Sequence, residues 1–157
     1  MAVYSIYLKG RCEMIPRYVL MAAAILLPAG ALSAGDEKKT DKEKLQGEWT
    51  LVKAVVGGKE QGADKIKAAK PLVIKGDQWT PPSRKPKLTF AINSTKNPKH
   101  LDLRPEGAGD RFIYKGIYKL EGDTLTFCRG SGPAIERPKE FKGGESVALF
   151  VYKRAGK

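Results

Sequence analysis

The hydrophobic pattern along this chain changes character after the first forty residues. Positions 19–27 are an unbroken apolar run. From Leu45 onward, short apolar stretches alternate with polar residues, the period-two signature of half-buried strands. Residues 47–56 are β-branched and apolar and end at Gly57-Gly58. Leu72-Val73-Ile74 and Gln78-Trp79-Thr80 flank a Lys75-Gly76-Asp77 turn, and Pro81-Pro82-Ser83 breaks the pattern. Leu88, Phe90 and Ile92 alternate with Thr89 and Ala91, and Leu101 and Leu103 flank Asp102. Over 111–120, Phe112, Tyr114, Tyr118 and Leu120 share one face, with Gly116 between them; Ile113, Lys115, Ile117 and Lys119 share the other. Glu121-Gly122-Asp123 is a hairpin turn into a returning strand at 124–128. Residues 129–144 are irregular and rich in Gly and Pro, and 147–152 form a last strand. A single short helix is expected at 63–70, capped by Asp64 and stopped by Pro71. Seven or eight short strands without crossover helices exclude a parallel α/β sheet and predict an all-β antiparallel fold.

The first segment has a different logic. Arg17 precedes the apolar run, and small residues from Ala29 to Ala34 follow it. A positive start, a short apolar stretch and a small-residue tail are the parts of a secretory signal. The run is much shorter than the ~20 residues that cross a bilayer as a helix. The expectation is a signal peptide at 1–34, with Met14 as an alternative start and several cleavage points open between Ala31 and Gly35. No transmembrane anchor is expected, and the protein is placed in the periplasm or outside the cell. Residues 35–44 are dense in charge and read as a solvated tether; the domain proper is expected at 45–154.

Leu45-Gln46-Gly47-Glu48-Trp49 opens that domain with the Gly-x-Trp pattern seen at the start of lipocalin barrels. Further on stand Asn97-Pro98-Lys99, then Gly116-Ile117-Tyr118-x-Leu120-x-Gly122-Asp123-Thr124-Leu125, Cys128, Arg137-Pro138 and Lys153-Arg154. Together these resemble an uncharacterised lipocalin-like family abundant in planctomycete bacteria, over nearly the whole domain. The resemblance implies a small antiparallel lipocalin-like β-barrel of seven or eight strands and an exported protein, and it implies no activity. It also implies that Trp49 closes one end of the barrel under a basic residue from the last strand, Arg154, with Lys153 competing for the role. A cation over an indole face is physically favourable.

Net charge is +12, with 29 basic and 17 acidic residues, and removal of the signal segment leaves the chain strongly basic. Such a surface suits envelope polyanions, although its lysines and arginines are spread along the chain rather than blocked together. Cys12 falls in the signal segment, so Cys128 is the one cysteine of the domain and is expected to be a buried small hydrophobe.

Chemistry is sparse. Zinc-type sites need several His or Cys ligands, whereas the domain offers His100 and Cys128, so neither metal nor cofactor is expected. A Cys-His pair would need the fold to join those two, and Asp102 is the carboxylate whose strand setting is worth following. A single-strand nucleic-acid reader would need exposed aromatics on a basic face; Tyr114 and Tyr118 share a core-like face, so no nucleic acid is expected. The leading expectation is a non-catalytic exported module for a small apolar or amphipathic ligand, its pocket wall including Phe90, Phe112, Tyr114, Tyr118, Phe127 and Phe150. A cationic protein for envelope polyanions and a hydrolase of unknown type are the alternatives.

Overall fold

The computed structural model describes residues 39–83, 86–109 and 112–156. The expected signal segment and the first part of the expected tether lie outside the described residues. The order is α1 (Asp41–Leu45), β1 (Gly47–Val56), β2 (Lys59–Glu60), α2 (Ala63–Ala68), β3 (Leu72–Lys75), β4 (Gln78–Thr80), β5 (Leu88–Asn93), β6 (Lys99–Pro105), β7 (Tyr114–Glu121), β8 (Thr124–Gly130) and β9 (Val147–Arg154). Every pairing is antiparallel, and β1 pairs with β9 to close the sheet. The result is a closed eight-stranded antiparallel barrel, compatible with a lipocalin-like fold. The two-residue β2 extends β1 at one end, where Val55 and Val56 pair with Glu60 and Lys59.

Strand β1 shows how an all-apolar run is sorted between inside and outside. Its register against β9 shifts between Leu51 and Lys53. This bulge puts an extra residue into β1 and bends it. Leu51 and Ala54, three apart, therefore both reach the interior, while Val52 is left exposed. Elsewhere strict alternation holds. Leu125, Phe127, Leu101, Leu103, Leu88, Phe90 and Tyr118 build one interior cluster with Trp49, Trp79 and Tyr152. Each fully buried large apolar side chain stabilises the barrel by about 1.5–3 kcal/mol.

Two expectations need correction. The charge-dense stretch expected as a tether is helical from Asp41. Thr40 and Glu43 form a capping box, and the Asp41 carboxylate accepts hydrogen bonds from Tyr118 Oη and Lys99 Nζ, both at 2.7 Å. Partners that arrive from β6 and β7 hold a segment whose own composition would leave it in solvent. The helix at 63–70 is shorter, and its N-cap is Gly62; Asp64 lies inside the first turn, where its charge suits the helix N-terminus.

The irregular segment after β8 is not free of the barrel. It lies across the outer face as a strap. Arg137 donates to both oxygens of Asp102, at 2.6 and 3.0 Å, and to the Gly116 carbonyl at 2.5 Å. The Cys128 thiol donates to the Lys142 carbonyl, and the Gly58 N–H to that of Gly144. Ile117 and Cys128 point outward by alternation yet are fully buried, because the strap covers them.

Candidate functional site

The barrel has one filled end and one open end, and both follow from where the large side chains fall. At the filled end α1 turns directly into β1. Trp49 is fully buried and its indole N–H donates to the Leu45 carbonyl at 2.8 Å. The Arg154 guanidinium lies over the indole, 4.2 Å from the ring centroid. Its remaining N–H groups donate to the carbonyls of Lys44 and Gln46 and to the Asp123 carboxylate. Gly47 has a φ of +113°, and a methyl there would stand 3.4 Å from Arg154 Nη1. The glycine of Gly-x-Trp thus supplies a backbone shape that other residues adopt only under strain. Lys153, the competing cation, points outward and is exposed.

At the opposite end a cavity of about 390 Å³ opens into the barrel. Its inner wall is Trp79, Phe127, Leu103, Leu51, Phe150 and Tyr152; Ile66 of α2 and Pro81, Pro82 and Ser83 border the mouth. Trp79 and Phe127 pack with ring centroids 5.2 Å apart, and Phe127 and Phe150 stack at 6.4 Å. The floor of the cavity is therefore aromatic.

One charged side chain enters this wall from a strand. Arg129 continues the inward series Leu125, Phe127, because β8 runs on to Gly130. Its guanidinium packs on the Tyr114 ring, 4.8 Å from the centroid, and lies 5.9 Å from that of Phe150. Nη1 donates to the Gly130 carbonyl at 2.8 Å. No carboxylate among the described residues pairs with it. Loss of water in the lumen presses its pKa below the usual arginine value. Burial pushes the Tyr152 phenol well above the ordinary tyrosine value, so that hydroxyl remains a neutral donor.

The six aromatic residues expected as a pocket wall separate into distinct roles. Phe127 and Phe150 line the cavity. Tyr114 sits behind it, under Arg129. Phe90 is in the packed core against Trp79. Tyr118 is core as well, its hydroxyl engaged by Asp41. Phe112 is 53% exposed and precedes β7, so the alternation that placed it inside does not reach that far. Trp79, Leu51, Leu103, Arg129 and Tyr152 were missed. For Arg129 the available signal was the alternation from Leu125, which the Gly-rich sequence after it obscured.

His100, Asp102 and Cys128 all face outward, away from the cavity. His100 and Cys128 flank Ile117 across β6, β7 and β8, and no hydrogen bond joins any two of the three. Asp102 is committed to Arg137. Desolvation, and then the Arg137 charge, holds the His100 imidazole below its usual pKa. Burial raises the Cys128 thiol above its ordinary pKa, the opposite of what a nucleophile needs. Among the described residues no group of three or more His, Cys, Asp or Glu could hold a metal ion, and no helix is long and apolar enough to cross a membrane.

No protein-family model, curated protein or solved structure matches the chain.

Proposed function

We propose that this protein is a non-catalytic, exported binding module that holds a small apolar or amphipathic molecule in the open end of its barrel. The cavity carries this reading: about 390 Å³ of space, floored by aromatic side chains, in a barrel whose other end is filled. Binding sites for small molecules are typically concave, mostly apolar and about 300–1,000 Å³. Among the described residues no carboxylate, imidazole or thiol lines the space, which favours holding a molecule over transforming it. The signal-like segment before the domain favours a ligand met outside the cytoplasm. The same proposal places the chain with the uncharacterised lipocalin-like proteins of planctomycetes, on the motif running from Leu45 to Arg154; the closed barrel supports the lipocalin-like part of it.

Native mass spectrometry of the protein purified from its own host tests the reading. A co-purifying small-molecule adduct, released on mild activation, is expected. A bare protein mass, together with failure to bind any apolar probe such as dodecanol, would overturn it.

A further inference from the structure

Resting on that ligand-binding reading, we propose that the ligand is an amphiphile with a single carboxylate head, gripped by the Arg129 guanidinium and the Tyr152 hydroxyl. Its apolar tail lies along Trp79, Phe127 and Leu103.

Two independent features of the cavity wall point to an anion. The first is Arg129. A cation partly withdrawn from water loses hydration that pairing or hydrogen bonds must replace, yet half-buried Arg129 makes one side-chain hydrogen bond, to the Gly130 carbonyl. The Tyr114 and Phe150 rings pack about it. Such packing holds the planar group in place and leaves N–H donors at its edge. That edge matches two carboxylate oxygens, the bidentate geometry in which arginine exceeds lysine. The second feature is Tyr152. Its side chain is buried, lines the cavity, and its hydroxyl has no hydrogen-bond partner among the described residues. No fully sealed side-chain oxygen or nitrogen lacks a partner among these residues, so the hydroxyl borders the open space. It lines the same cavity as Arg129. A neutral donor and a permanent cation thus border one cavity whose inner wall is otherwise Leu51, Trp79, Leu103, Phe127 and Phe150. The anion that fits them has an apolar remainder, because Phe127, Trp79, Leu103 and Leu51 supply the rest of the wall. Lys65, the other cation there, belongs to the exposed helix α2, whereas Arg129 projects from the barrel wall itself, on β8.

The test is calorimetric titration of the mature domain with dodecanoate, dodecanol and dodecyltrimethylammonium at low salt, the two ionic amphiphiles below their micelle concentrations and dodecanol below its solubility limit. Dodecanoate should bind more than about ten-fold tighter than dodecanol, roughly the worth of one charge-assisted hydrogen bond, and the cationic amphiphile should bind weakest. Arg129→Met should bring the ratio of dodecanoate to dodecanol affinity close to one, and Tyr152→Phe should lower it several-fold. Dodecanol or the ammonium amphiphile binding the native protein as tightly as dodecanoate would overturn the carboxylate assignment and leave ligand binding standing. Absence of binding by all three would overturn ligand binding itself. The native-protein ratios decide the matter even where a variant does not fold.

Discussion

Gly116 stands on the inward face of β7, where a methyl group would lie 2.7 Å from a ring carbon of Phe127 and 2.8 Å from the carbonyl oxygens of both Cys128 and Leu101. Two of those neighbours are backbone and cannot swing away. The glycine therefore lets Phe127 lie flat against β7 and form the cavity floor. Gly116→Ala should cost about 1–3 kcal/mol, the usual range for forced overpacking, read as a lower urea midpoint; an unchanged midpoint would mean the ring has room that the structure does not give it. Residues of this kind mark the boundary of what the sequence discloses. The inward phase of Phe127 and Leu125 is plain from alternation. Arg129 keeps the same phase, but an arginine at an inward position runs against the apolar pattern, and Gly130, Gly132 and Pro133 beyond it read as loop. Phe112 errs the other way: alternation extends past Tyr114, while the strand does not.

At the scale of elements, α1 and the strap are held by contacts between distant parts of the chain. Burial raises the Asp41 carboxyl pKa, but hydrogen bonds from Lys99 and Tyr118 outweigh this and leave it below its ordinary value of 3.8. A pKa lower in the folded than in the unfolded state contributes stability above the ordinary value, and this is lost as pH falls through the folded one. Asp41→Asn should cost about 1–2 kcal/mol at neutral pH and should flatten the loss of stability below pH ~4. Trp49 fluorescence reports both, since its indole is bonded to the end of α1. The charge density of this stretch reads as a tether and hides the Thr40-x-x-Glu43 capping box; Tyr118 and Lys99 are hidden too, because nothing local links them to Asp41. The strap offers a parallel case. Arg137 pins it to Asp102 and to the Gly116 carbonyl, and Cys128 lies sealed beneath it. Arg137→Ala should raise the rate of Cys128 modification by a thiol reagent about ten-fold or more, as local opening becomes cheaper by ~1.4 kcal/mol. An unchanged rate would show that other contacts hold the strap closed.

For the molecule as a whole, the residues that carry the family-like pattern fall away from the cavity. Leu45, Gln46, Gly47, Trp49, Lys99, Tyr118, Asp123 and Arg154 meet at the filled end. Gly116, Cys128 and Arg137 belong to the strap and the strands beneath it. That pattern specifies how the barrel is closed and braced, so fold class was legible from it while the binding end was not. The open end is assembled from one to three residues on each of seven elements, α2, β1, β4, β5, β6, β8 and β9, and no spacing in the chain links one element's residues to another's. The most direct measurement is therefore a titration of the isotope-labelled protein with dodecanol, followed by amide chemical shifts. A ligand held in the barrel should shift Ala54, Leu103, Phe127, Arg129 and Phe150 together and leave the filled end around Trp49 and Arg154 still. Shifts confined to the outer surface, or none at saturation, would show that the barrel is only a scaffold.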